Sequence, residues 1–337
     1  MNESCSQAIL VLGMHRSGTS ALTGMLSILG ADLGPSLMPA QESINPKGFW
    51  EHADIVAVHE KLLLALDSSW QDERPLPNNW WQLSLIAPFR DELEEILKRD
   101  FAQSSLWLLK DPRMCRLLPM WKEILCDLDC VPHFVICLRS PFEVARSLEC
   151  RDRLTESRAC LLWLEHLLET EKGTRGYSRI VITYDQLLAD WQSTSRLIAE
   201  GLSLPLDIKD SAIVEKVENF LQPSLRHHNA TQGVMSDSRL SQLASNAYMI
   251  AKGAPLEKLA DALAPFFEEV EQASRLVTPW ATQLLSLQAQ NAHLEQTNFY
   301  LLSEVTRLRS TFSWQVTKPL RLIANLPGFV RRMLNRS

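Results

Sequence analysis

Five apolar residues, Ala8-Ile-Leu-Val-Leu12, run straight into Gly13-Met-His-Arg-Ser-Gly-Thr-Ser20, and a segment of helical period, Ala21 to Leu29, follows. A short run without polar interruption marks a strand buried on both faces. The glycines let the backbone curl, so that several N–H groups and a helix N-terminus face one point suited to an anion. Strand, glycine loop and helix in this order point to an α/β fold built on a parallel sheet. Gly13 and Gly18 keep the spacing of a nucleoside-triphosphatase loop, yet Thr19 stands where that loop has lysine. The letters leave open which anion is held, and an ordinary glycine turn fits them too.

Three further apolar runs end in polar motifs. Leu106–Leu109 leads into Lys110-Asp-Pro-Arg113, His133–Leu138 into Arg139-Ser-Pro141, and Arg179–Thr183 into Tyr184-Asp-Gln-Leu-Leu188. Ser140 suits a helix N-cap and Pro141 the first helical position. The expected fold is therefore α/β: a P-loop-type parallel sheet flanked by helices, followed by a C-terminal helical and coiled-coil extension. Ligands of such sheets bind at the carboxyl ends of the strands, where all four motifs lie. A long insertion separates the first two strands. It holds Asn45-Pro-Lys-Gly-Phe-Trp-Glu51, an amphipathic helix from about Ala53 to Leu66, and a Pro/Trp-rich loop from Trp70 to Trp81. Trp70, Trp80 and Trp81 suit either stacking on sugar rings or plugging a local core.

Strand signals stop near Ala230. The expected divisions are 1–230 for the α/β domain, 231–275 for a helical extension, 276–312 for a coiled coil and 313–337 for a basic amphipathic tail. Heptad d positions fall at Trp280, Leu287, Leu294, Leu301 and Leu308, and Asn291 and Asn298 occupy successive a positions. Polar a positions favour a parallel homodimer in fixed register through 277–312; a long helix packed on its own domain is the alternative. Residues 312–332 mix apolar groups with arginines and no acids, a composition suited to peripheral contact with an anionic membrane.

Composition narrows the partners and the compartment. A net charge of −6 over 337 residues argues against nucleic acid. The seven cysteines include no C-x-x-C pair and no zinc-ligand set, so they read as reduced thiols of a cytoplasmic protein. The N-terminus has no signal-peptide pattern, and no apolar stretch is long enough to span a bilayer.

A triphosphatase needs its loop lysine and a strand-end acid for Mg²⁺. Here Arg139 ends the third run, and Arg16, Lys110, Arg113 and Arg139 favour a polyanion gripped by side chains without a metal. Gly13-Met-His-Arg-Ser-Gly-Thr-Ser20 resembles the 5′-phosphosulfate loop of sulfotransferases that use 3′-phosphoadenosine 5′-phosphosulfate (PAPS), in the Arg-Ser-Gly-Thr form of the Golgi-type and bacterial branches. Arg139 and Ser147, eight residues apart, are similar to the family's 3′-phosphate pair. Lys110-Asp-Pro112 is similar to a Lys-Asp-Pro of the tyrosylprotein branch, and Tyr184-Asp-Gln-Leu187 resembles a common strand-to-helix segment. The resemblance covers about residues 8 to 230.

The resemblance implies PAPS as donor, held by His15, Arg16, Ser17, Gly18, Thr19, Ser20, Arg139, Ser147 and, from the basic segment Ser224-Leu-Arg-His-His228, Arg226. It implies that Lys110 faces the sulfuryl group and that Glu51, or else His52, takes the acceptor proton. Each has a bland counterpart: Glu51 in a first helical turn favours the dipole, and Arg139 can cap a structural carboxylate. Ser313-Trp-Gln-Val-Thr-Lys-Pro-Leu-Arg321 resembles a tail on bacterial surface-polysaccharide enzymes, which implies a saccharide or lipid-linked saccharide acceptor; the basic, apolar composition of 312–332 adds the expectation of a place at the inner face of the cell membrane. A P-loop kinase or NTPase, and a non-catalytic nucleotide-binding scaffold dimerised by its coiled coil, are the other readings.

Overall fold

The computed structural model of the chain describes residues 6–40, 48–221, 238–311, 314 and 316. The chain begins with β1 (Gln7–Leu12) and α1 (Thr19–Ile28), then α2 (Ala53–Ala65) and α3 (Ala87–Phe101) in the insertion. It continues with β2 (Leu106–Lys110), α4 (Met114–Asp127), β3 (Val131–Leu138), α5 (Pro141–Asp152), α6 (Glu156–Thr174) and β4 (Ser178–Thr183). Five helices follow: α7 (Tyr184–Ala189), α8 (Trp191–Gly201), α9 (Ser211–Phe220), α10 (Arg239–Gly253) and α11 (Leu256–Ser310).

The four strands form one parallel sheet in the order β2-β1-β3-β4. Each apolar run is a strand, and polar neighbours extend three of them: Gln7 pairs with Leu106 and with Val131, Lys110 with Val11, and Ser178 with His133. Ladder pairing, not side-chain polarity, sets those ends. β1 has β2 on one side and β3 on the other, so the strand order reverses at the mouth of the glycine loop. Such a reversal opens a crevice at the carboxyl edge.

Both faces of the sheet are covered, which is why its strands read as unbroken apolar runs. Leu10, Leu12, Trp107, Leu109 and Phe134 pack with side chains of α2, α3 and α4. Ile9, Val11, Leu108, Val135 and Cys137 pack on the other face with α1, α7, α8 and α9. Ile136 and Leu138 join a third cluster with α5, α6, α10 and the first turns of α11. Each large apolar side chain so buried contributes roughly 1.5–3 kcal/mol.

Helix starts follow local chemistry in part. Thr183 and Gln186 form a reciprocal capping box that opens α7. Ser140 stands at the N-cap of α5 and Pro141 at its first position, but the Ser140 hydroxyl makes no capping bond. The chain divides into two compact units, Met1–Thr278 and Pro279–Ser337. In the second, α11 carries exposed Trp280, Leu287, Leu294, Leu301 and Leu308. No described helix is long and apolar enough to cross a membrane. Cys115, Cys130, Cys137 and Cys160 are buried free thiols, and burial pushes Cys137 up to about 12.

Candidate active site at the carboxyl edge of the sheet

All four strand ends contribute to one edge. Gly13 follows β1 with φ +148°, and a Cβ there would lie 2.5 Å from the Cys137 carbonyl oxygen. Gly18 has φ +90°, and a Cβ there would lie 2.2 Å from the ring of Tyr184, the first residue after β4. Both positions therefore require glycine on two counts, backbone conformation and space. The Cys137 thiol donates to the Ser17 carbonyl at 3.2 Å and the Gly13 N–H donates to Cys115 Sγ at 3.2 Å, which pins the loop to β3 and α4. Ser17 and Thr19 are buried, and the Ser20 hydroxyl donates to the Phe49 carbonyl at 3.2 Å.

The helix that opens from this loop, α1, has no side-chain cap and no acid in its first turn. The first N–H groups of a helix have no intrahelical acceptor, so this end is left suited to an outside anion.

Cations gather beside it. Arg16, with φ +70°, donates through Nε to Ser147 Oγ at 2.7 Å. Arg139 donates through Nη1 to the Arg16 carbonyl at 3.2 Å and through Nε to Glu143 at 2.7 Å, and its guanidinium lies 4.8 Å from the centre of the Tyr184 ring. Arg139 Nη2 is buried with no hydrogen-bond partner among the described residues. Burial, then the charges of Arg151 and Arg139, lower the pKa of Arg16 from its ordinary value. Arg139, Ser147 and Arg16 are thus brought together, and Arg139 also caps a structural carboxylate. The structural-carboxylate reading of Arg139 is met by Glu143.

On the other side of β1, Lys110 Nζ donates to Glu51 Oε1 at 2.5 Å, with both side chains buried. Burial raises the pKa of Glu51 above the ordinary carboxylate value, although Lys110 pulls against that shift. A buried carboxylate with a raised pKa is a better proton acceptor than an ordinary one.

The Lys110-Asp-Pro-Arg113 turn is clamped to α2. The Trp121 indole can only donate, and it does so to His59 Nε2 at 2.9 Å. His59 therefore carries its proton on Nδ1 and donates to Asp111 at 2.7 Å. Arg113 binds Asp111 at 2.9 Å and Glu60 through Nε at 2.7 Å. Burial works against charge on Asp111, but Arg113 and His59 outweigh it and hold the carboxyl well below its usual range. Arg113 is thus taken up by two carboxylates, as Lys110 is by Glu51 and Arg139 by Glu143.

His52 stands at the N-cap position of α2 without a side-chain capping bond, and its Nε2 meets Asp100 at 3.0 Å rather than Lys110. Burial lowers its pKa, with Asp100 acting in the opposite sense. His52, Asp54 and Asp100 lie close enough to share an ion. Arg99 already bridges both carboxylates, at 2.6 Å and 2.5 Å. The His15 ring lies 4.3 Å from that of Trp70 at a 45° tilt, and burial, then Arg113 and Arg151, lower its pKa well below the ordinary value. Arg226 lies outside the described residues.

Sequence reading missed the clamp residues His59, Glu60, Trp121 and Asp100, which lie dozens of positions from their partners. Glu143 was findable, being one helical turn beyond Arg139.

No family model matches the chain, and no curated protein is similar to it in sequence. Among solved structures it is similar to a sulfotransferase domain from the curacin biosynthetic pathway, at 14% identity and TM-score 0.40, over 71% of this chain and 96% of that one. It is similar to a sulfotransferase domain from the Synechococcus PCC 7002 olefin synthase, at 14% identity and TM-score 0.41, over 74% and 97% of the two chains. It is also similar to a sulfotransferase from Mycobacterium tuberculosis H37Rv, at 15% identity and TM-score 0.36, over 77% of each chain. Identities this low give no residue of the site a role.

Proposed function

We propose that the chain is a sulfotransferase that moves the sulfuryl group of PAPS to a hydroxyl, on a cell-surface saccharide or its lipid-linked intermediate. The observation that carries this reading is the joint one at the mouth of β1: an acid-free, uncapped helix start beside Arg16, Ser147 and Nη2 of Arg139, which has no partner among the described residues. Two anion positions follow. The loop amides with Ser17, Thr19 and Ser20 hold a 5′-phosphosulfate, and Arg139 with Ser147 holds a 3′-phosphate, for which a guanidinium offers paired donors.

The bound donor supplies an activated sulfuryl group, and the chain's residues do the rest. Glu51 accepts the proton of the incoming hydroxyl. Lys110 then turns from Glu51 to the oxygen that gains charge as the bond to sulfur breaks. Tyr184 carries Arg139 on its ring face and closes the loop behind Gly18.

The heptad face of α11 supports a parallel homodimer, with a second copy of the chain as occupant. In a parallel pair in register, Glu304 at a g position faces Arg309 at the partner's next e position, and Asn291 and Asn298 each meet their own copy. The proposed membrane contact of 312–332 falls almost wholly outside the described residues; co-sedimentation with anionic liposomes tests it.

Calorimetry tests the donor: 3′-phosphoadenosine 5′-phosphate binds far more tightly than AMP, and equal affinities sink the proposal. Transfer of label from ³⁵S-PAPS to lipid-linked sugars tests the reaction.

A further inference from the structure

A chamber of about 530 Å³ opens away from the loop site, and no residue of that site lines it. Its walls come from α4, α6, the 75–81 loop and residues 267–274 of α11. Cores of ordinary density leave no void of this size, and the volume falls in the range of ligand pockets.

One wall group has an unmet hydrogen-bonding need. Glu165, on α6, is 9% exposed. Its Oε1 accepts from the Ser274 hydroxyl at 2.6 Å, and its Oε2 has no partner among the described residues. Burial pushes its pKa up to about 8 although the Arg116 charge acts against this, so at neutral pH it is a protonated carboxyl with a donor to offer. An unmatched buried donor is costly, and a ligand oxygen removes that cost.

The rest of the chamber limits the ligand further. Trp80 and Trp81 meet edge to face at 6.1 Å, and Trp81 is the half-buried member. Arg116 is spent on the carbonyls of Asp72 at 2.9 Å and Arg74 at 2.6 Å, so it braces the loop instead of reaching a ligand. Arg116, Lys122 and Lys172 stand against Glu169 and Glu271, so with Glu165 neutral the lining carries a single net positive charge, which gives little preference for an ion. A hydrocarbon would leave the Glu165 donor unmatched, whereas a ring bearing hydroxyls meets it and lays its C–H face on an indole.

We propose that this chamber is a second binding site, for an uncharged saccharide, with Trp81 as its platform and Glu165 as its hydrogen-bonding anchor. The inference stands whether or not the loop site transfers sulfuryl groups.

The test is saturation-transfer NMR and tryptophan fluorescence on the full chain, with a panel of neutral mono- to trisaccharides as probes. At least one probe binds. Glu165→Leu and Trp81→Ala each weaken it about tenfold or more, as expected for a lost buried hydrogen bond or a lost ring contact. Glu165→Gln, which keeps a donor, retains it. Binding fades above about pH 8 as Glu165 ionises among Arg116, Glu73 and Glu169, and Glu165→Gln removes that dependence. Lys110→Ala and added 3′-phosphoadenosine 5′-phosphate leave it unchanged. Three outcomes overturn the proposal: no probe binds, binding survives both Glu165→Leu and Trp81→Ala, or an apolar dye occupies the chamber and no saccharide displaces it.

Discussion

At the carboxyl edge of the sheet, Lys110 and Glu51 are 3% and 6% exposed, while on α11 Trp280 and Leu294 are 74% and 60% exposed. The first region buries charge, and the second displays apolar surface along one heptad stripe. Ordinary folding does the opposite in both places. The departures differ in what sustains them. Buried charge persists because each group is paired: Lys110 with Glu51, Asp111 with His59 and Arg113, Arg139 with Glu143. Isolated, any of these would cost several kcal/mol. The stripe on α11 has no such internal compensation, and under the dimer proposal a second chain supplies it. One anomaly is closed within a single chain; the other is open, and under the dimer proposal a second chain closes it.

The largest expected effect breaks the first region alone. Lys110→Ala lowers kcat about 10²–10³-fold, as loss of a fixed transition-state donor does, and leaves sedimentation unchanged. It also strands Glu51, so thermal stability falls by about 3–5 kcal/mol. A variant with near-normal kcat would remove Lys110 from the chemistry. Gly18→Ala strikes the same edge through geometry: its methyl meets the Tyr184 ring at a positive φ. A loss of about 2 kcal/mol or more is expected in denaturant unfolding, together with weaker binding of 3′-phosphoadenosine 5′-phosphate; unchanged stability and binding would contradict the close packing of loop on ring.

Leu294→Asp breaks only the second region. Analytical ultracentrifugation is expected to show a dimer for the unaltered chain and a monomer for the variant, with turnover per chain kept. A monomer for the unaltered chain at micromolar concentration ends the dimer proposal.

The smallest effect concerns pH. Glu51 must be ionised to accept a proton, so kcat falls as pH drops through its raised pKa, at a pH above the ordinary carboxylate value, and Glu51→Gln erases that limb. Glu165 acts on stability instead. Its pKa is about 8 in the folded chain and ~4.3 when unfolded. The folded state therefore holds the proton more tightly. Its contribution is complete below about pH 4.3 and is lost as pH rises through about 8. Unfolding curves taken from pH 4 to 9 should flatten in Glu165→Gln, and an unchanged slope would mean that the acid is ionised after all.

The amino-acid sequence by itself determined the sheet and the loop. Four apolar runs, Gly13 and Gly18 at their spacing, Pro141, and the Thr183–Gln186 pair act through neighbours a few residues away, so their consequences are local and can be read in order. It also placed Glu51, Lys110, Arg16 and Arg139 at strand and helix ends, where a parallel sheet gathers its ligands, and Ser147 about two turns into the helix after β3. Which of these would touch was settled only by the tertiary structure. His52 turned to Asp100 and Glu51 to Lys110, though the two are adjacent in the chain, because successive side chains leave an extended backbone in opposite directions. The His59–Asp111 bond spans 52 positions, Arg16–Ser147 spans 131, and Ser274–Glu165 spans 109. No periodicity reaches that far. Burial, and with it the raised pKa of Glu51 and Glu165, is a property of what packs around a group, and packing exists only once the chain has closed on itself.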